Sequence, residues 1–510
     1  MNRTTRTMAV AALAFGLIST GTAGPATAAM PQDDLVRCGP VVTPIYGCEV
    51  WRSASWDGGG GTSRDEPGDS YPNNATVSAV SADGRLVYTA GLATGAGNSG
   101  LELVTLAHET SGGGLVWAAR EAGNAAYPRI AARALSVSAE AVFVTGVLST
   151  EGAQEFAAAA IAYDPMTGEQ RWRWEDPVVP YDAAVSPDGT TLYVAGTVVG
   201  EDEEGFLETS GSLIALDAST GEELWRSSDA GGIAGRIVGT RVAVSPDGDT
   251  VTMAGNDVDG GGVTRTIRVL SYETREDEAL GIHPGDRRSV GVFDYGAPGV
   301  ATSGLRYAPD GSRVYVSGSR RTGEAASSPR QYVTAAFRVA DGAQVWASFF
   351  DGGIADNQAA HPTFGSPLAV SPGGSRVYVT GYIFDASPAP THYFGTVAYD
   401  ASTGQKVWEQ MLVSGFVNCL FCLPNLAVNP ATGVVHVTGT SNHRLNPQAL
   451  TASYRPDTGD VDWVALVEDG ATGSNTPVVS ADGRRLFIPA WQAISGNQRD
   501  LLVFAYDARG

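Results

Sequence analysis

Short apolar segments rich in β-branched residues alternate with polar turns along the chain, and the alternation repeats as a two-part phrase. In one copy, a Ser-Pro-Asp-Gly turn opens a strand that ends in glycine (residues 186–196), and a second phrase with an Asp-x-x-Thr-Gly turn ends in tryptophan (residues 215–225). Runs of this kind, bounded by Gly, Pro and Asp, predict strands. Self-similarity at this spacing predicts a propeller or a solenoid instead of one compact core.

Two separate counts give the number of repeats. The first turn occurs eight times, starting at Ser81, Ser138, Ser186, Ser245, Ala308, Ser371, Asn429 and Ser480. The second phrase ends in tryptophan at Trp117, Trp172, Trp225, Trp346, Trp408 and Trp463, and at a further place the segment 271–275 leads to Leu280 without a tryptophan. The second phrase therefore gives seven outer strands for eight turns. The sequence around Trp51, at residues 49–59, matches the eighth outer strand, and residues 505–510 read as the third strand and turn of a blade.

These counts predict an all-β chain that forms a single eight-bladed propeller over residues 48–510. Each blade is expected to be a four-stranded antiparallel sheet, and the N-terminal strand to pair with the C-terminal blade. Closing the ring in this way removes exposed strand edges that would otherwise promote aggregation.

The tryptophans of the second phrase are predicted to have a structural role. Glycine in each turn supplies the positive φ that a tight turn needs, and the indole ring can bury against the neighbouring blade while its N–H donates a hydrogen bond. This prediction covers Trp51, Trp117, Trp172, Trp225, Trp346, Trp408 and Trp463.

Both phrases resemble repeats of known propellers. The Ala-x-Asp-x-x-Thr-Gly-x-x-x-Trp phrases resemble the tryptophan-docking repeats of eight-bladed quinoprotein (PQQ-like) propellers, and the Ser-Pro-Asp-Gly-x-x-Val-Tyr-Val phrases resemble YVTN-type and WD40-like repeats of exported bacterial propellers. The resemblance covers about residues 48–510 and implies the fold. It leaves the function open, because propellers serve as enzymes, receptors and scaffolds.

The first residues have the pattern of a secretory signal. Residues 1–29 combine Arg3 and Arg6, an apolar stretch at 8–18 and the small-residue sequence 26–28. We expect a secreted, extracellular protein in which residues 30–47 form an N-terminal segment before the propeller. No apolar stretch reaches the length that spans a bilayer, and the formal charge of −22 disfavours nucleic acid and anionic membranes as partners.

Four cysteines suit an oxidising compartment. Cys38 and Cys48 bracket an N-terminal loop, and Cys419 and Cys422 form a C-x-x-C pair outside any thioredoxin-like βαβ context. Local structural disulfides are therefore favoured over a redox pair or a zinc site, and no metal site is expected.

The first strand of each blade lies nearest the axis, where small residues fit the narrow radius. Arg306 breaks this rule, and Asp182 and Arg241 lie on the same face of the preceding two blades. These residues could form either an ion pair between blades or the floor of an anion site.

The second group of candidates lies in long connections. Turns within the two phrases are short, whereas the connections on the opposite face are long and dissimilar, at 199–211, 277–302, 319–331, 352–364, 383–393 and 411–424. Such connections are where binding sites are usually built. His283, His361, His392 and His443 fall in this set, and the last three could act as ligands or as general acids and bases, or be solvent-exposed loop residues.

The sequence favours a non-catalytic binding or scaffold protein that holds a protein, peptide or glycan on its long connections and is a monomer. A PQQ- and calcium-dependent alcohol or sugar dehydrogenase is the alternative that the resemblance implies, although the adjacent cysteine pair of those enzymes is missing. A hydrolase or lyase that uses a loop histidine is a third possibility. No cofactor is expected under the favoured interpretation.

Overall fold

The computed structural model describes residues 49–53, 77–94, 101–150, 155–201, 207–229, 236–258, 264–294, 301–325, 328–353, 359–361, 367–384, 391–415, 424–441, 448–467, 472–474, 476–495 and 498–509. Over these residues the regular secondary structure is entirely β-strand, arranged in eight separate antiparallel sheets. The predicted eight-bladed propeller is therefore confirmed.

The first four blades follow one another along the chain. Blade 1 contains β2 (Val77–Val80), β3 (Leu86–Thr94), β4 (Leu101–Glu109) and β5 (Leu115–Glu121), and blade 2 contains β6 (Arg129–Val137), β7 (Val142–Ser149), β8 (Phe156–Tyr163) and β9 (Gln170–Asp176). Blade 3 contains β10 (Val179–Val185), β11 (Thr191–Glu201), β12 (Leu207–Asp217) and β13 (Glu223–Asp229), and blade 4 contains β14 (Arg236–Val244), β15 (Thr250–Val258), β16 (Thr264–Glu273) and β17 (Arg287–Asp294).

The next three blades continue the same order. Blade 5 contains β18 (Ala301–Tyr307), β19 (Arg313–Arg321), β20 (Arg330–Arg338) and β21 (Gln344–Phe350). Blade 6 contains β22 (Ala359–His361) and β23 (Leu368–Val370), which both pair with β24 (Arg376–Phe384), followed by β25 (His392–Asp400) and β26 (Lys406–Gly415). Blade 7 contains β27 (Asn425–Val428), β28 (Val435–Ser441), β29 (Gln448–Tyr454) and β30 (Val461–Leu466).

Blade 8 closes the ring with strands from both ends of the described chain. It contains β31 (Thr472–Ser474) and β32 (Val478–Val479), which pair with β33 (Arg485–Ser495), then β34 (Gln498–Asp507) and finally β1 (Glu49–Arg52). The register sets Trp51 opposite Ala505, and the Ser53 amide donates to the Val503 carbonyl at 3.0 Å. The outer strand of the last blade therefore comes from the N-terminal side, as predicted.

The hydrophobic core lies between adjacent blades. One cluster joins Tyr88 and Leu103 of blade 1 to Val144 and Ile161 of blade 2, and similar clusters recur around the ring. Alternate side chains of each strand point to opposite faces of its sheet, so each blade packs against both of its neighbours in the ring. Burial between blades stabilises the ring as one unit.

The short turns repeat one hydrogen-bonded geometry. In the turn between β10 and β11, the Ser186 hydroxyl donates to Asp188 Oδ1 at 2.6 Å, and the same oxygen accepts the Thr190 amide at 3.1 Å. The hydrogen bond from Ser186 lowers the pKa of Asp188. The same serine-to-aspartate bond recurs at Ser81, Ser245 and Ser480. Turns between strands 1 and 2 and between strands 3 and 4 lie on one side of the ring, which we call the short-turn face; the other connections form the long-loop face.

Blade 4 differs from the sequence prediction. Its outer strand is β17, which begins at Arg287 inside a segment predicted to be a connection, and Leu280 is an exposed turn residue with 72% of its surface accessible. Pairing of Ser271 with Ser289 shows that Ser289, and not Leu280, occupies the position of the missing tryptophan. The error arose because an extended turn between strands 3 and 4 shifts the strand along the sequence.

The connection predicted at 199–211 is also shorter than expected, because β11 and β12 continue their pairing as far as Glu201 and Leu207. Residues 1–48, which include the predicted signal, Cys38 and Cys48, lie outside the described residues, as do Cys419 and Cys422. No helix long and apolar enough to cross a membrane occurs among the residues described.

Candidate functional site

The inner strands of all eight blades surround a central channel. Its cavity measures about 810 Å³. Small and apolar side chains form most of the lining, including Ser78, Ala79, Ala184, Ala243, Ala369, Ala427, Thr476 and Val478. The ionisable side chains among the lining residues are Arg133, Asp182 and Arg306. A cavity of this size with a few converging polar groups is the usual form of a small-ligand site.

Asp182 links two neighbouring blades through its carboxylate. Its Oδ1 accepts the amide of Ala183 in the same strand at 3.0 Å, and its Oδ2 accepts the amide of Val242 in blade 4 at 3.2 Å. Burial raises the pKa of Asp182, whereas the positive charges of Arg241 and Arg306 and the two amide hydrogen bonds act in the opposite direction. The carboxylate is therefore held at a fixed position beside the channel.

Arg241 and Arg306 complete the predicted group. Arg241 is 7% exposed, and its Nε donates to the carbonyl of Ser303 in blade 5 at 3.0 Å. Arg306 is half-buried and donates from Nη1 to the carbonyl of Leu305 at 2.8 Å. Burial lowers the pKa of both arginines, and the charge of Asp182 opposes that shift. The structure thus brings together the three residues that the sequence places on successive inner strands.

Arg133 also lines the channel, and sequence reasoning missed it. The register of β6 against β7 shifts between Ala132 and Ala134, so Arg133 is the extra residue of a β-bulge. A bulge turns one side chain away from the regular alternation. Corresponding shifts occur in β10, β14 and β18, at Tyr181, at residues 239–240 and at Ser303. A charged residue between Ala132 and Ala134 of the inner strand was the signal available in the sequence.

The candidate histidines do not form a single described cluster. His392 begins β25 and is buried at 2% exposure, and the backbone of His361 pairs with Tyr382 at the same end of blade 6. His443 lies outside the described residues. His283 lies in the extended turn between strands 3 and 4 of blade 4, hence on the short-turn face and not among the long loops, with Nδ1 at 3.4 Å from Glu276 Oε1.

Contacts of the tryptophans follow one pattern at most blade interfaces. Trp117 Nε1 and the Tyr88 hydroxyl both donate to the carbonyl of Pro165 in the next blade, at 2.9 and 3.1 Å. Two further interfaces repeat the shared acceptor, with Trp346 and Tyr315 on Ala401 and with Trp408 and Tyr378 on Pro456. Trp51 and Trp172 donate to the carbonyls of Thr110 and Ala218. These contacts join neighbouring blades, so the tryptophans are accounted for by packing.

Two of the tryptophans depart from that pattern. Trp225 packs at 5.9 Å from Tyr193 and contacts the backbone near Gly285. Trp463 stacks on Tyr506 at 6.1 Å, and its Nε1 has no hydrogen-bond partner within the described structure. The fourth strand of blade 8 is β1, so β34 does not lead into a turn between strands 3 and 4 that would receive Trp463.

A calcium-bound quinone needs a cluster of oxygen ligands for its metal ion. The described part of the chain contains no group of three or more His, Cys, Asp or Glu side chains placed to hold a metal ion. In the channel, Asp182 is the one carboxylate among the lining residues described, and backbone amides already occupy both of its oxygens. The channel residues therefore do not offer a donor set that fits calcium and PQQ.

The comparisons with known proteins agree with the fold. A family profile described as "Outer membrane protein assembly factor BamB" matches residues 329–497. Among solved structures, the chain is similar to the Dos1 propeller, with 11% identity, a TM-score of 0.50 and coverage of 86% of this chain and 93% of that one. Hydrazine synthase of Kuenenia stuttgartiensis (17% identity, 72% and 94% coverage) and the C-terminal WD40 domain of Sif2 (8% identity, 82% and 90% coverage) match with TM-scores of 0.43 and 0.46.

Comparison with curated proteins gives no match. The structural similarity at these identities shows the fold alone. Together with the eight blades and the matching profile, it shows a β-propeller fold that is similar to PQQ-like and WD40-like propellers.

Proposed function

We propose that this protein is an exported, non-catalytic β-propeller that binds a protein, peptide or glycan of the cell envelope or medium through its long-loop face. The observation that carries this proposal is the contrast between the two faces. On the short-turn face, four of the turns between strands 1 and 2 share one hydrogen-bonded geometry, and the extended turn of blade 4 is an exception in length. The connections on the other face differ in length and sequence between blades. Variable connections on a rigid scaffold are the usual location of binding sites.

The residues that recur in the repeats support a binding role because packing already accounts for them. Asp188 and its equivalents hold turns, and Trp117 and its equivalents join blades. Function is therefore expected from residues that do not recur, and most of these lie in the long connections.

The family description supports an envelope location and a protein partner. It names an assembly factor for the outer membrane, and its profile covers blade 6, blade 7 and parts of blades 5 and 8. The predicted signal at residues 1–29 agrees with export.

Site-specific photo-crosslinking tests the proposed face. A photoreactive amino acid is placed at the exposed positions Glu155 or Ala325 near the long loops, and at the exposed positions Met166 or Ser219 on the short-turn face as controls. The protein is crosslinked in the envelope and medium of a producing bacterium. We expect discrete adducts from the long-loop positions only; equal labelling from both faces, or from the short-turn face alone, contradicts the proposal.

Titration of the purified protein with PQQ and calcium separates binding from dehydrogenase function. The proposal predicts no saturable heat and no dye-linked alcohol oxidation. Tight binding with turnover would replace the proposal with a quinoprotein dehydrogenase.

A further inference from the structure

Aromatic side chains meet in groups of three at several blade interfaces. The docking tryptophan lies between a tyrosine from strand 2 of its own blade and a tyrosine from strand 3 of the next blade. Between blades 1 and 2, the ring centroid of Trp117 lies 5.8 Å from that of Tyr88 and 6.1 Å from that of Tyr163. The interfaces between blades 5 and 6 and between blades 6 and 7 repeat the group, with Tyr315, Trp346 and Tyr399 and with Tyr378, Trp408 and Tyr454. Where the group is complete, tyrosine thus flanks the tryptophan on both sides.

Histidine replaces the first of these tyrosines where blade 7 meets blade 8. His436 lies in strand 2 of blade 7, is fully buried, and has its ring centroid 5.8 Å from that of Trp463. The strands that flank it in blade 7 set small, uncharged residues opposite it. Blade 8 contributes Tyr506, which stacks on Trp463 at 6.1 Å, and the Ala508 carbonyl, which favours the charged imidazole.

Histidine replaces the second tyrosine where blade 8 meets blade 1. His108 lies five residues before Gly113, whose φ is +73°, just as Tyr163 lies five residues before Gly168, whose φ is +72°. Gly113 is also the turn residue against which the ring of Trp51 from blade 8 lies. His108 is 1% exposed, and its Nδ1 has no hydrogen-bond partner within the described structure. Both interfaces of blade 8 therefore contain a buried imidazole.

The charged groups that border His108 have partners or face solvent. The neighbouring strands of blade 1 set apolar residues opposite it, and the adjacent Glu109 is exposed. On the face of β34 turned towards blade 1, blade 8 presents Asp507, which is paired with Arg485 at 3.8 Å and with Arg509 at 2.5 Å. Among the described residues, no charged side chain offsets the burial of either imidazole.

Burial keeps both imidazoles uncharged in the closed ring. It lowers the pKa of His108 to about 4 and that of His436 to about 3, from 6.5 for a solvated imidazole. Opening of either interface exposes its imidazole to water and restores the higher pKa, so the open form binds a proton that the closed form does not. The stability that these interfaces contribute is therefore complete above pH 6.5 and is lost progressively below it.

We propose that blade 8 is an acid-sensitive closure of the ring, which protonation of His108 and His436 releases from blades 1 and 7. Strands from both ends of the described chain meet in blade 8, so it can separate without disturbing the strand order of another blade. Interfaces with tyrosine on both sides of the tryptophan stay closed. Between pH 7 and pH 5 the equilibrium constant for release rises about 23-fold for each histidine and about 500-fold for both. This device is independent of the proposed long-loop site.

Hydrogen–deuterium exchange of the wild-type protein at pH 7 and at pH 5, corrected for the intrinsic exchange rate, tests the proposal. We expect backbone amides of β33 and β34 in blade 8 to lose protection by about 500-fold at pH 5, because they exchange through release of the blade. Amides of β11 in blade 3 and β19 in blade 5 should keep theirs. The proposal is overturned if blade 8 loses no more protection than blades 3 and 5.

Variants that restore tyrosine assign the effect to the two histidines. His108→Tyr and His436→Tyr should each leave a loss of protection of about 23-fold in blade 8, and the double variant should show none. His283→Gln is the matched control, because that imidazole is exposed on blade 4, and it should behave as the wild-type protein does. A double variant that loses as much protection as the wild-type protein contradicts the assignment. The comparison between blades of the wild-type protein does not require any variant to fold.

Discussion

The interface between blades 5 and 6 and the interface between blades 4 and 5 solve the same packing problem in different ways. In the first, Trp346 and Tyr315 donate to the Ala401 carbonyl, and the indole ring lies against Gly404 of the receiving turn. In the second, Ser289 takes the place of the tryptophan and donates to the equivalent carbonyl, that of Val339, at 2.7 Å.

The space is filled differently as well. Without an indole ring, the backbone of Val290 comes so close to Gly342 that an added Cβ atom would lie 2.2 Å from the Val290 carbonyl oxygen. Tyr307 reaches in from the inner strand of blade 5 and bonds the Thr252 hydroxyl at 2.5 Å. The common requirement is thus a donor for the turn carbonyl and a filled interface, and tryptophan is one way to meet it.

Substitution at the two equivalent positions has the largest expected effect. Trp346→Ala removes a buried aromatic ring and should lower the free energy of unfolding by about 3–5 kcal/mol. Ser289→Ala removes one hydrogen bond and little volume and should cost about 1 kcal/mol. Urea denaturation of both variants measures the difference; similar losses would mean that the ring contributes little beyond its hydrogen bond.

Two turn glycines differ in how closely they approach a tryptophan ring. Gly168 and Gly84 have nearly equal φ values of +72° and +71°, but an added Cβ atom would lie 2.6 Å from the Trp117 ring at Gly168 and meets nothing within 4 Å at Gly84. Both Ala variants incur the same left-handed strain, so Gly168→Ala should cost about 1–3 kcal/mol more, as for overpacking.

A double-mutant cycle identifies the cause of that difference. In a Trp117→Ala background, Gly168→Ala should cost no more than Gly84→Ala, since the ring that it meets is gone. An unchanged penalty in that background would show that the turn itself, and not docking of the indole, forbids the side chain.

His436 gives the last interface a dependence on pH. It occupies the position of Tyr315 and Tyr378, packs at 5.8 Å from Trp463, and its burial lowers the pKa of the imidazole from 6.5 to about 3, with the Ala508 carbonyl acting in the opposite direction. The unfolded chain therefore binds a proton between these values that the folded chain does not. His436 therefore leaves the free energy of unfolding unchanged above pH 6.5. Below that, it lowers the free energy of unfolding by about 1.4 kcal/mol for each pH unit between 6.5 and 3.

His436→Tyr should remove this dependence on pH. Between neutral pH and pH 5, the free energy of unfolding of the variant should fall by about 2 kcal/mol less than that of the wild-type protein. His108, whose pKa burial lowers to about 4, is present in both proteins and cancels in the difference. Parallel pH profiles of the free energy of unfolding would contradict the assignment to His436.

Local patterns in the sequence were enough to predict the fold. Each Ser-Pro-Asp-Gly turn is specified by residues within five positions of one another, as the bonds of Ser186, Asp188 and Thr191 illustrate. Because every blade carries its own copy, counting turns gives the number of blades. Closure by β1 followed from the same count, since one outer strand was missing.

Prediction failed where a local rule was interrupted. The extended turn at 274–286 hid the outer strand of blade 4, and the bulge in β6 hid Arg133, because one extra residue reverses the face on which a side chain lies. The alternation of apolar residues reveals neither the length of the turn nor the bulge, although the charge of Arg133 between two alanines marks its position.

The strands, the turns, the number of blades and the placement of Asp182, Arg241 and Arg306 on inner strands all follow from local sequence. All of these depend on hydrogen bonds and alternation between residues close in the chain. Which side chains share a blade interface or a channel wall depends instead on the packing of the folded chain. Ser289 and Val339 are joined across 50 positions, and Asp182 and Val242 across 60. Such contacts depend on how far each bulge and turn rotates the next strand, which local pattern does not encode.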